Sequence, residues 1–322
     1  MEMLEKRPAC PQCESPVASA RLLFSLRHFE SVVPVVECAV CGLVYKSLIP
    51  TASAFSTIYN SNYGHYSTAA FDHDVKILVD RVGRLRPLKP TGRLFDYGCG
   101  NGAFIAAAGN AGYDAWGADP FLPAPHALAN NYLRERAFKL AIGSAEFDRV
   151  FPPGSFDIVT MWATAEHLVS VGANISGLIR LLRPDGVLVL NCPAGDSLAC
   201  RRDGVRWRMA IIPEHLQFIT CRSARYAAEL GGAELIKLRR CGSPYPFGLE
   251  QSATTLDHKR SNDPPQAPSA ARTAAKPKRS TLRAAYDFFV IDDSLHLKAT
   301  AAALIQLLGT GDHLEVYLRL KR

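Results

Sequence analysis

The chain has 322 residues, 48% of them hydrophobic and 21% charged, values that suit one large globular domain with a small module and exclude a wholly disordered chain. No apolar run approaches the ~20 residues of a membrane span. Residues 1–7 are charged and lead into a cysteine pair without the apolar stretch of a signal peptide, so the expected compartment is the cytoplasm. Seven basic residues and one acid lie between His258 and Arg283, which puts all but about one unit of the net charge of +7 in that stretch. The rest is near neutral, which weighs against a basic face for nucleic acid.

Residues 1–50 carry two Cys-x-x-Cys pairs, Cys10 with Cys13 and Cys38 with Cys41, separated by 24 residues. In a reducing compartment such pairing points to metal rather than disulfides. Four thiolates close a tetrahedron around Zn²⁺ and leave no position for substrate, so the expected ion is structural. It would stabilise a zinc-ribbon-like module too small to rely on its own core. Cys99, Cys192, Cys200, Cys221 and Cys241 show no pairing and read as small buried or loop residues. Residues 51–92 form a connecting segment, with Tyr59, Tyr63 and Tyr66 as candidate caps over a pocket or as aromatic packing between module and domain, and an amphipathic helix over 71–84. Pro87, Pro90 and Gly92 end that helix.

From 93 to 322 short apolar runs alternate with helical ones. The pattern predicts strands at 93–97, 114–118, 138–142, 156–162, 187–191, 233–240 and 313–320, and helices at 103–109, 174–182 and 222–230, with Thr220 as an N-cap. Arg183-Pro184-Asp185-Gly186 reads as a turn before a strand. Such alternation predicts an α/β, doubly wound parallel sheet covered on both faces. Residues 258–280 are poor in apolar side chains and read as a disordered insertion, followed by a helix around 295–308.

The decisive segment is Asp96-Tyr97-Gly98-Cys99-Gly100-Asn101-Gly102, between a predicted strand and a predicted helix. Glycines at alternate positions let the backbone bend sharply and approach a ligand, and the helix N-terminus favours an anionic group such as a carboxylate. Asp119, 21 residues after Gly98, ends the next strand, where an acid accepts bonds from ribose hydroxyls. A dinucleotide loop reads GxGxxG, whereas this one reads GxGxG with an acid two residues ahead. Two phosphates would repel Asp96, but the ammonium of S-adenosylmethionine would be attracted to it.

On these residues the chain resembles the class I S-adenosylmethionine-dependent methyltransferases, and within them the ubiquinone-biosynthesis type. The resemblance runs over about 93–240 and resumes at 309–320. DYGCGNG resembles the family's first motif, GADP its second, FDIVTMWATAEHL its fourth strand, LLRPDGVLVLNCP the turn into its fifth, and PEHLQFIT a segment before the next helix. It implies a seven-stranded Rossmann-like sheet with an antiparallel last strand, and a cofactor site drawn from Asp96, Tyr97, Gly98, Cys99, Gly100, Gly102, Asp119, Pro120, Ser144, Ala145 and Trp162. Two positions depart from the family. Ser144 stands where an acid often contacts adenine, and Ala163 stands where some members carry the first of two metal-binding glutamates ahead of Glu166 and His167. The second departure weighs against a catalytic metal.

Methyl transfer from a sulfonium is an in-line displacement, governed first by alignment. A base is needed only where the acceptor must lose a proton. His215, with Glu214 as its orienter, is the first candidate and His167 the second; either could instead pin a loop. Arg206 and Trp207 are candidate substrate contacts or a loop with one anchor. The expected acceptor is a small molecule modified at O, N or C. The alternative is an RNA or protein methyltransferase whose cysteine module reads a macromolecule. Intact first and second motifs oppose a catalytically silent binding protein.

Overall fold

The computed structural model describes residues 3–63, 68–122, 131–242 and 311–321, apart from the side chains of 59–63 and 68–70. The insertion at 258–280, the helix expected at 295–308 and Tyr66 lie outside the described residues, as do the side chains of Tyr59 and Tyr63.

Seven strands form the central sheet: β6 (Arg93–Tyr97), β7 (Asp114–Ala118), β8 (Ala137–Phe138), β9 (Phe156–Trp162), β10 (Leu182–Pro193), β12 (Ala233–Cys241) and β13 (His313–Leu320), in the order β12-β13-β10-β9-β6-β7-β8. The pairs from β10 through β9, β6 and β7 to β8 are parallel, whereas β13 runs antiparallel to both neighbours. The fold is the α/β Rossmann-like methyltransferase sheet expected from the sequence.

Strands β6, β7, β9 and β13 have the predicted bounds. Of the strand expected at 138–142 only Phe138 lies in β8, whose two residues pair with Gly117 and Ala118 of β7. The expected turn at 183–186 is a bulge inside one long strand. Leu182 already pairs with Phe156, and regular pairing resumes at Val187 with Ile158. Asp185 takes a left-handed φ of 61° there.

Helices α2 (Thr68–Leu85), α3 (Ala103–Asn110) and α4 (Asn131–Arg136) accompany one core cluster, in which Phe71, Val82 and Leu85 join Phe104, Ile105 and Trp162. Helices α6 (Val171–Arg180) and α9 (Cys221–Leu230) join the other. Thr220 caps α9 as expected, and Ser223 returns a bond to the Thr220 amide, so two terminal donors are satisfied reciprocally.

The first fifty residues form β1 (Leu4–Lys6), β2 (Arg21–His28), β3 (Ser31–Glu37), β4 (Val44–Lys46) and β5 (Leu48–Pro50). Strands β1 and β5 pair antiparallel as a separate two-stranded sheet. The sheet of β2, β3 and β4 is completed from outside: β11 (Gln217–Phe218) pairs with β4, giving the order β11-β4-β3-β2. Leu26, Val33, Val35 and Val44 pack with Trp207, Met209, Ala210 and Phe218. Cys10, Cys38, Cys41, Leu43 and Tyr45 share a cluster with strands β9 and β10. The module and the catalytic sheet therefore have a common apolar interior.

Candidate active site and cysteine centre

Strand β6 delivers the glycine loop. Gly98, Gly100 and Gly102 all have φ between 54° and 80°. A Cβ on Gly98 would come within 2.3 Å of Thr164 Oγ1, so this glycine lets the loop lie directly against the segment that follows β9. Asp119 closes the loop from β7. Its carboxylate accepts from the Gly100 amide at 3.0 Å and the Phe121 amide at 2.7 Å, which leaves lone pairs for further donors. Burial raises the Asp119 carboxyl pKa.

Asp96 is buried at the end of β6 and accepts from Thr160 Oγ1 at 2.7 Å. Burial pushes its carboxyl up to about 7, against the opposing pull of the Thr160 bond and the Arg81 charge. A cationic ligand group beside it would recover the carboxylate.

The remaining expected cofactor residues surround this loop in varied ways. The Tyr97 hydroxyl accepts from the Ile142 amide at 3.1 Å and so anchors the segment leading to Ser144. Ser144 caps α5 (Ala145–Val150) by accepting from the Phe147 amide, and Ala145 is exposed at the start of that helix. Cys99 is buried and its thiol pKa is raised well above the ordinary range, which makes it inert. Pro120 is half-buried. Trp162 packs edge-on against Phe104 with the Arg81 guanidinium 5.2 Å from its ring. It belongs to the core on the α2–α3 side as much as to the site.

Glu166 and His167 lie in a short 3-10 turn, Ala165–His167, just after β9. His215 follows α7 (Leu198–Asp203) and α8 (Arg208–Ile211), far along the excursion after β10. The fold brings the two imidazoles together, with ring centroids 4.9 Å apart in an edge-to-face arrangement. The expected orienter of His215 is corrected. Its Nδ1 lies 2.9 Å from the Met209 carbonyl, and since a carbonyl only accepts, Nδ1 carries the proton. It is His167 that meets Glu214, donating to its backbone carbonyl.

Both rings are also less basic than a solvated histidine. Burial holds His167 at about 4 and His215 well below its ordinary value, and Lys46 adds positive charge beside each. The imidazoles are neutral and can accept a proton, but the environment does not poise them near pH 7.

Glu166, His167 and His215 each place one donor atom within 4.8 Å of the others, so the fold supplies a third donor where Ala163 lacks one. One carboxylate with two imidazoles and the Lys46 charge beside them is poorer in anionic ligands than a two-glutamate site.

Trp207, 1% exposed, packs at a tilt against Phe218 with ring centroids 4.8 Å apart and anchors the excursion to the N-terminal sheet, while Arg206 is exposed. Trp207 is therefore the loop anchor of the two readings.

Lys46, His28, Arg7 and Gln217 were not foreseen. Gln217 donates to the Ala165 and Leu168 carbonyls, and Arg7 bonds Gln217 Oε1 and the Val169 carbonyl. A lysine in Val44-Tyr45-Lys46 reads as a solvated strand residue. Nothing local announces a partner 166 positions away.

The four cysteines of the N-terminal pairs converge. Cys10 and Cys41 sulfurs are 3.6 Å apart, those of Cys13 and Cys38 3.5 Å, and all four lie within 4.8 Å of one another. A tetrahedron with Zn–S bonds of ~2.3 Å has edges of about 3.8 Å, so the donor set fits zinc. The two knuckles repeat one geometry. The Glu14 amide bonds the Cys10 carbonyl and the Gly42 amide the Cys38 carbonyl, each at 3.0 Å, with left-handed φ at both Glu14 and Gly42. Amides of Gln12 and Cys13 point at the Cys10 sulfur, and those of Val40 and Cys41 at Cys38. The Cys10–Cys41 contact lowers the Cys10 thiol and raises that of Cys41, as expected of two sulfurs sharing one proton.

The knuckles seat on the helix ends of the catalytic layer. Gln12 Nε2 donates to the Ser223 carbonyl, the Gly172 amide to the Pro11 carbonyl, and Arg222 to the Ala39 and Val40 carbonyls.

A family model described as a methyltransferase domain matches residues 71–238, more than half of the chain. No curated protein matches the sequence. Among solved structures, an Archaeoglobus fulgidus SAM-dependent methyltransferase aligns over 82% of this chain and 99% of its own at 14% identity and a TM-score of 0.44. A Thermotoga maritima SAM-dependent methyltransferase, described as a possible histamine N-methyltransferase, aligns over 82% and 99% at 12% identity and 0.46. Haemonchus contortus phosphoethanolamine N-methyltransferase 2, solved with phosphomonomethylethanolamine and S-adenosylhomocysteine, aligns over 93% of this chain and 71% of its own at 14% identity and 0.48. The chain belongs to the class I methyltransferase domain family and is an S-adenosylmethionine-dependent methyltransferase.

Proposed function

We propose that the chain transfers the methyl group to a small-molecule acceptor, at a hydroxyl, amine or carbon, held against the edge formed by His167 and His215. The observation that carries this reading is the meeting of two imidazoles from distant loops, one of them on the turn that opens at Thr164, the residue against which Gly98 lies. The near-neutral charge outside 258–283 supports a small acceptor over an RNA.

The cofactor supplies a methyl group on a sulfonium centre. Asp119 would accept from its ribose, Asp96 and the 98–102 loop would take its amino acid end, and Pro120, Ser144, Ala145 and Trp162 would complete the site. Where the acceptor is a hydroxyl or an acidic carbon, its lone pair or carbanion forms the new bond to the methyl carbon as the C–S bond breaks. Its proton passes to His215 Nε2, with His167 as the competing base. A neutral amine would need only alignment, and would lose its proton afterwards.

Cys10, Cys13, Cys38 and Cys41 would hold one structural zinc. Residues 1–50, 51–92 and 93–322 then divide by role, as metal module, connecting segment and catalytic domain. The Glu166-His167 pair supports a reading of the chain as a ubiquinone-type member.

The test offers the zinc-loaded protein methyl-labelled S-adenosylmethionine with a metabolite extract, and in parallel with total RNA and protein. Label is expected in the small-molecule fraction. Label confined to RNA or protein would overturn the reading.

A further inference from the structure

The acceptor edge is held by side chains from the first fifty residues. Lys46, at the end of β4, is 1% exposed. Its Nζ lies 2.6 Å from the Ile212 carbonyl, 3.5 Å from the Pro213 carbonyl and 3.0 Å from His28 Nε2. An ammonium out of water is costly unless its three donors are all used. Here three acceptors meet them. His28, at the end of β2, accepts that bond and so turns a donating nitrogen to the Ala210 carbonyl.

The carbonyls of Ala210, Ile212 and Pro213 are thus fixed from the N-terminal sheet, while that of Met209, one residue earlier, fixes the His215 ring. Arg7 and Gln217 hold the His167 loop in the same manner.

We propose that Lys46 and His28 are positioning residues for methyl transfer: they lock the 209–213 backbone that orients His215, so the cysteine module completes the acceptor side of the active site. The inference rests on the reading of His215 as the proton acceptor.

The charge of Lys46 faces His28, Glu214, His167 and His215. His313 also bears on His215, and the Asp312 bonded to it pairs with Arg208. Burial brings the Lys46 amine down to about 7, so it changes charge near neutrality while the three imidazoles stay neutral.

The test uses imidazole ¹⁵N spectra of the zinc-loaded full chain with S-adenosylhomocysteine, comparing wild type with Lys46→Met and His28→Gln. The expected result is cofactor affinity within about twofold of wild type. Solvent exchange of the His215 Nδ1 proton should be at least ~10-fold faster in both variants. The His215 pKa should rise in Lys46→Met, because a cation has been removed. The His313 ring, bonded to Asp312, serves as the unmoved reference.

In wild type, the His215 signals should shift between about pH 6 and 8 as Lys46 loses its proton, a readout that needs no variant. Unchanged His215 exchange in folded variants, or a wild-type His215 signal insensitive to that titration, would overturn the proposal. Full methyl transfer by His215→Gln would instead sink the functional reading and leave the positioning result standing.

Discussion

The glycine loop after β6 and the His167–His215 pair, which we assign to cofactor and acceptor, are assembled in opposite ways. The loop is local: Asp96 through Gly102, closed by Asp119 from the adjacent strand, with each glycine answering a left-handed φ or a close approach. The acceptor edge has no local logic. His167 and His215 arrive from loops 48 positions apart, and what holds them comes from Arg7, His28 and Lys46, in the first fifty residues of the chain. A contiguous loop can be damaged without disturbing its surroundings. An edge clamped from a second sheet fails when either sheet shifts.

That contrast can be broken most sharply at His215. His215→Gln should lower turnover by ~10²–10⁴-fold with S-adenosylhomocysteine affinity unchanged, as steady-state kinetics and calorimetry will show. His167→Gln is the control, and activity lost only in that variant would reassign the base. Retention of full activity by both variants would mean that alignment alone suffices.

The cysteine centre tests whether the module and the catalytic sheet are mechanically one. Metal analysis should find one zinc per chain, and Cys38→Ser should lose it. Because Cys38 and Cys41 pack in the same cluster as β9 and β10, the variant should melt at lower temperature as a whole and disturb the His215 signals. Two separate melting transitions would show that the module is autonomous. A stoichiometry near zero in protein never exposed to chelator would remove the metal.

On the cofactor side, Asp119→Ala should weaken binding by roughly 1.5–3 kcal/mol, the range for hydrogen bonds to a charged group, and leave the acceptor-side signals alone. Wild-type affinity in calorimetry would remove the assignment.

The smallest effect is a pH slope. Asp96 has a folded pKa of about 7 against a model value of 3.8. Its contribution to stability in the unliganded chain is therefore present below 3.8 and is lost as pH rises through about 7. A bound ammonium reverses the preference by favouring the carboxylate. S-adenosylhomocysteine should therefore bind more tightly as pH rises from about 6 to 8, by up to ~10-fold per unit below the pKa, with proton release. Asp96→Asn should flatten that slope, and an unchanged slope in the variant would place the titrating group elsewhere.

The sequence by itself determined the sheet, the glycine loop with its two acids, and the cysteine tetrad. Each is written in short-range terms: apolar alternation, glycine spacing, paired thiols. It erred where pairing depended on neighbours, as in the shortened strand β8 and the bulge at 183–186. Glu214 as orienter was wrong for the same reason, since a backbone carbonyl at Met209 took the role. Only the tertiary structure decided that the module is built into the catalytic domain and that Lys46 is buried. Backbone carbonyls carry no sequence signature, and the Arg7 and Lys46 donors lie more than 160 residues from theirs, so only the folded chain reveals which side chain answers which carbonyl.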